Sequence, residues 1–136
     1  MGLDIAIRLL DKEDTLKAFK EKDYIELDTK RTFNTDIKKI CKKFEEYESH
    51  DCYALLVTKD VNRFINYLDR MCYNKVKQIK YFKKQVKYRK KTWFYFENNS
   101  MYYSDIVYVK NNIKFIREII DEIKRIRPLA ICIDLS

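Results

Sequence analysis

The two ends of the chain carry the same pattern. Leu3, Ile5, Ile7 and Leu9 alternate with Asp4, Ala6, Arg8 and Leu10, and Leu129, Ile131, Ile133 and Leu135 alternate again at the far end. Successive side chains of a strand point to opposite faces, so both segments read as half-buried strands. Their matching alternation places them in one sheet, and the intervening chain must fold back to allow it.

Between the ends, the apolar spacing changes several times. Asp11 to Lys22 reads as a short helix with Leu16 and Phe19 inward, and Tyr24 to Thr29 as a strand with Ile25 and Leu27 on one face. Thr35 is placed to cap a helix to about Glu48, with a stripe of Ile37, Ile40, Cys41, Phe44 and Tyr47. Cys52 to Thr58 is a buried strand. Asp60 caps a helix carrying Val61, Phe64, Ile65, Leu68 and Cys72, and Asn74 either breaks this helix from the next or leaves the two continuous. Trp93 to Phe96 and Tyr102 to Val109, on either side of Glu97–Met101, read as an aromatic hairpin. Asn112 is placed to cap a last helix with Ile113, Ile116, Ile119, Ile120, Ile123 and Ile126 inward, ended by Pro128.

At 136 residues this order predicts a single α+β domain over residues 1–136, with a mixed or antiparallel sheet of about five or six strands packed with four or five helices. Apolar content of 46% supports a core despite 37% charged residues.

The charge is unevenly distributed. Residues 75–91, KVKQIKYFKKQVKYRKK, hold nine Lys or Arg and no acid, whereas the whole chain has 29 bases and 21 acids. Outside this segment the chain has a net charge of −1. Val76, Ile79, Phe82 and Val86 share one helical face, and Lys77, Lys80, Lys84, Lys87 and Lys91 fall within an arc of about 80° well away from it. Tyr81 and Tyr88 flank that arc. One face can dock on the protein while the other presents ammonium groups and rings to a polyanion. The alternative is a solvated lysine-rich face.

Other chemistry is sparsely represented. Gly2 and Pro128 are the only glycine and the only proline, so no glycine-rich phosphate loop or GxSxG elbow can be written. Cys41, Cys52, Cys72 and Cys132 are scattered beside apolar residues and read as reduced core thiols. Only His50 and Cys52 are close enough to suggest a zinc pair, so no metal site and no cofactor are expected. His50, in a polar stretch after a helix, reads as a solvated loop residue. Asp4, Glu26, Asp28, Asp36, Asp51, Asp60 and Asp134 lie near element ends, and Glu26-Leu27-Asp28-Thr29-Lys30 has the residue types of a metal-dependent nuclease. A strand with alternating surface charge gives the same string. No window of eighteen apolar residues exists, so no membrane span is expected. Asp4 stands where an export signal would be basic, which makes the cytoplasm the expected compartment.

The aromatic segment adds to the basic one. Trp93 follows it directly, and Tyr95, Tyr102, Tyr103 and Tyr108 supply further rings. Rings among cations can stack bases of single-stranded nucleic acid or anchor a protein interface. As strands, this segment would bury Phe94 and Phe96 and leave Trp93 and Tyr95 nearer the surface.

Met1-Gly2-Leu3-Asp4, the Trp93–Phe96 run, Tyr102-Tyr103-Ser104-Asp105 and the helix from Ile113 to Ile126 resemble the layout of small uncharacterised proteins of phages and mobile elements. The Trp-rich middle usual in those proteins is absent. The resemblance implies a phage-encoded accessory protein in a host cytoplasm. Some proteins of that kind inhibit host nucleases or nucleoprotein defence complexes such as CRISPR effectors.

These readings lead to a non-enzymatic binding protein. Lys77, Lys80, Tyr81, Lys84, Lys87, Tyr88, Lys91 and Trp93 would meet nucleic acid or a nucleoprotein. The alternatives are an inhibitor whose basic stripe meets an acidic groove of a host protein, and a metal-dependent nuclease. Oligomeric state is not legible.

Overall fold

The computed structural model describes residues 5–11, 24–27, 34–50, 53–89 and 95–135. The elements in order are β1 (Ile5–Leu10), β2 (Tyr24–Leu27), α1 (Asn34–Cys41), β3 (Glu48–Ser49), β4 (Ala54–Thr58), α2 (Val61–Arg89), α3 (Tyr95–Ile126) and β5 (Ala130–Leu135). The expected α+β class holds. The five strands form one antiparallel sheet in the order β2-β1-β5-β4-β3. The two chain ends are neighbours in it, with Ile7 opposite Ile133 and Leu9 opposite Ile131.

The register explains the burial. Directly opposed residues share a face, so Ile7, Leu9, Leu56, Ile131, Ile133 and Leu135 line one side, and all are almost fully buried. On the other side Leu10, Ala130 and Cys132 are buried, with Tyr24, Leu55 and Val57 packed against them. Strand β5 is thus apolar on both faces except at Asp134, which pairs with Arg8 at 3.7 Å. On edge strand β2, Ile25 and Leu27 share one face, opposite Leu9 and Ile7, and Ile25 is 49% exposed. Tyr24, on the other face, packs against the Leu10 cluster, with the Arg8 guanidinium 5.3 Å from its ring centroid.

The chain forms two compact units. One comprises Met1–Tyr67 and Ile119–Ser136, and the other Leu68–Glu118. The first, the sheet unit, contains all five strands. The second, the helical unit, holds the later part of α2 and the earlier part of α3.

Several expectations need correction. Three helices are present among the described residues, where four or five were expected. Asn74 does not break the basic segment from the preceding helix, because α2 runs through it. Among the described residues the aromatic hairpin is absent. Residues 95–109 belong to α3, where Ile106 and Val109 are buried and Val107 and Tyr108 exposed, a helical period. Aromatic and β-branched composition suggests strand only weakly, and packing of a continuous apolar stripe overrides it. Strand alternation therefore does not govern Tyr95 and Phe96, while Trp93 and Phe94 lie outside the described residues. Asn112 is no cap, since it sits buried within α3.

Thr35 lies inside α1, and α-helical geometry ends at Cys41. Tighter turns follow, with Lys43, Phe44 and Tyr47 each donating to the carbonyl three residues back. The expected apolar stripe survives this change, with Ile37, Ile40, Cys41 and Phe44 buried. The expected helix from Asp11 to Lys22 falls, apart from Asp11, outside the described residues, as does Cys52.

The start of α2 and the end of α3 are locally determined. The Asp60 carboxylate accepts from the Arg63 amide at 3.1 Å, as an N-cap should. Buried Thr58 accepts from the Asp60 amide at 3.0 Å. At the end of α3, the Arg127 amide donates to Ile123 at 3.0 Å, and Arg127 takes φ 53°. Pro128 then blocks continuation, and the Leu129 amide donates to Leu10, starting β5.

Candidate nucleic-acid interface

The helical unit is built on one apolar line per helix. On α2, Leu68, Cys72 and Ile79 are buried, with Phe82 partly so. The 3.6-residue repeat brings these onto one face. On α3, Ile106 and Val109 are buried and Ile113 packs beside them, and Ile79, Ile106 and Val109 form one cluster. Nearer the start of α2, Asp69 pairs with Arg117 at 3.2 Å. Position 69 beside 117 and 79 beside 106 means that the two segments run antiparallel. Burial pushes the Cys72 thiol up, opposed by the nearby Arg117 charge.

Opposite this line stands the lysine row. Lys77, Lys80, Lys84 and Lys87 are all exposed. At 100° per residue they span an arc of about 80°, centred about 140° from the buried line, and rise about 15 Å along the axis. Successive members are about 4.5 to 6 Å apart in rise, less than the screening length of about 8 Å at physiological salt, so their fields add. No carboxylate among the described residues pairs with them. The sequence has no acid between Asp69 and Glu97. Like charges at these spacings destabilise an isolated helix, and the α3 contact offsets that cost.

The expected site is partly brought together. The four lysines and Tyr81, 57% exposed, share the outward side of α2. Tyr88 belongs to α2, with its side chain outside the described part, and Lys91 and Trp93 lie outside the described residues. The inward stripe requires a correction. Val76 is 37% exposed, and half-buried Lys75 occupies the core-facing phase between Cys72 and Ile79. A lysine can cover apolar surface with its methylene stem, so the polar position is tolerated.

Tyr73 was missed. It is 62% exposed and falls inside the lysine arc, with the Lys77 ammonium 4.6 Å from its ring centroid. Its signal was present in the i,i+4 spacing to Lys77, which puts the two one above the other.

Elsewhere, charges are balanced locally. Arg63 lies 4.7 Å from the Phe44 ring centroid and donates to the Lys43 carbonyl at 2.8 Å, tying the turn after α1 to α2. A cleft of about 580 Å³ in the sheet unit is lined by Lys59, Lys124 and Arg127 together with Asp60 and apolar residues. His50 is exposed, with its Nε2 4.0 Å from Glu48. No group of three His, Cys, Asp or Glu side chains able to hold a metal is present among the described residues. Among those residues, no helix is long and apolar enough to cross a membrane.

Compared with known proteins, the chain matches no family model, no curated protein and no solved structure.

Proposed function

We propose that the protein is a non-enzymatic binding protein whose helical unit contacts the phosphates of nucleic acid, free or within a nucleoprotein. One observation carries this reading. Leu68–Glu118 contains thirteen Lys or Arg and four acids, a net of +9, and four of its exposed lysines, Lys77, Lys80, Lys84 and Lys87, are aligned on one side of α2. The remaining residues have sixteen bases and seventeen acids, a net of −1. A field concentrated in this way attracts a polyanion even though most of the chain is near neutral.

The test is titration with generic DNA and RNA at rising salt. Four phosphate contacts release counterions with a slope of log K against log salt of about −3. An affinity that stays flat with salt removes the phosphate contacts. Pull-down from a host lysate with nuclease treatment bears on the alternative. A stoichiometric protein that survives the nuclease would replace nucleic acid with an acidic protein surface as the partner, as in a direct inhibitor.

A further inference from the structure

We infer that the lysine row takes a single strand of nucleic acid, with its phosphates along Lys77, Lys80, Lys84 and Lys87 and bases stacked on Tyr73 and Tyr81. This rests on the phosphate-binding reading and specifies its ligand.

The row is narrow, and its two borders differ. A helix seated in a duplex major groove, about 12 Å wide, meets a phosphate backbone on each flank. Here Lys83 borders the row on one side, and Asn74, Gln78 and Tyr81 lie on the other. All three are exposed and uncharged, and the cation of this flank, Arg70, stands about 10 Å of helix rise before Lys77. Between Lys77 and Lys87 this border of α2 carries no cation to meet a second backbone.

The rings are placed for the bases of that one strand. Tyr73 and Tyr81 are 62% and 57% exposed, although a tyrosine ring gains by burial. Eight residues separate them, about 12 Å of helix rise, or a few stacked nucleotides at about 3.4 Å each. Each ring is held by a neighbour, Tyr73 by the Lys77 ammonium and Tyr81 by Phe82, whose ring centroid is 5.9 Å away. Rings fixed beforehand lose less freedom when a base stacks on them. Stacking is tolerant of sequence because every base has a π-face.

The experiment uses the full chain with a thymidine strand, a uridine strand and a duplex of matched length, each titrated over the same series of salt concentrations. The single strands should bind more tightly than the duplex. Tyr73→Ala and Tyr81→Ala should each lower single-strand affinity by about five- to a hundredfold, while leaving duplex affinity and the salt slope unchanged. Phe at either position should restore binding, because it keeps the ring. Tighter binding to the duplex, or single-strand affinity unchanged by both Ala variants, overturns the inference and leaves the phosphate contacts standing. Binding to none of the three probes removes both.

Discussion

The sheet unit and the helical unit spend their charged residues differently. In the sheet unit sixteen bases face seventeen acids, and cations are held locally, Arg8 by Asp134 and Arg125 by Glu122 at 2.7 Å. In the helical unit thirteen bases face four acids, and Lys77, Lys80, Lys84 and Lys87 pair with no carboxylate among the described residues. Strand β5 is almost fully enclosed, while large apolar side chains stand about half exposed at Ile25, Tyr53 and Leu129 in the sheet unit and at Tyr73, Tyr81, Val107 and Tyr108 in the helical unit. Stability is therefore expected to rest on the sheet, and recognition on the helix pair.

The largest expected effect is in the sheet. Leu56 is fully buried opposite Ile133, so Leu56→Ala should cost about 2–5 kcal/mol in urea unfolding. The folded fraction should keep its nucleic-acid affinity. A parallel loss of affinity in protein that is still folded would erase the division of labour.

Per pH unit, a smaller effect is expected at alkaline pH. Burial, chiefly, pushes the Cys41 and Cys132 thiols from 9.0 up to about 12. Above the ordinary thiol value the unfolded chain loses these protons while the folded chain keeps them. Stability is therefore complete below about pH 9 and falls as pH rises towards about 12, by about 1.4 kcal/mol per pH unit for each thiol. Urea titrations at rising pH should show a shallower decline in Cys132→Ala than in the parent. Identical declines would mean that this thiol ionises alike in the two states.

The smallest concerns one backbone position. Arg127 holds φ 53°, a conformation that a Cβ disfavours, in a chain whose only glycine is Gly2. Arg127→Gly should raise stability by about 0.5–1 kcal/mol and shift the thermal midpoint upward. A lower midpoint would give the guanidinium a structural role larger than the strain.

What could be read from the chain follows the same division. The alternation at Ile5–Leu9 and Ile131–Leu135 was legible because a strand with one deeply buried face has a strict period of two, and both segments do pair. The Asp60 cap was legible because its carboxylate acts on an amide three residues away. The outward lysines were legible because charge tolerates one phase of a helix far better than the other. Composition misled where period should have decided. Tyr102 to Val109 is rich in strand-forming residues, yet Ile106, Val109, Ile113 and Ile116 continue the spacing of the isoleucine stripe beyond it. The extent of α3 depends on a non-local partner, Ile79, which no local window contains. Lys75 shows the same limit, since a lysine on the core line becomes visible only when its neighbours are placed. Tyr73 lies two residues before the basic run begins at Lys75, so the charge pattern alone does not include it.

The central claim is that position, and not net charge, makes the helical unit the nucleic-acid contact. Its most direct test compares two triple variants with the same charge change. One carries Lys80→Glu, Lys84→Glu and Lys87→Glu on the row. The other carries Lys39→Glu, Lys42→Glu and Lys124→Glu, three exposed sites of the sheet unit. With both variants folded by circular dichroism, the row variant should lose at least about a hundredfold in affinity for a single strand, its phosphate contacts gone. The sheet variant should stay within about threefold of the parent, as distant charges are screened. Equal losses in the two variants, or none in the row variant, would contradict the claim.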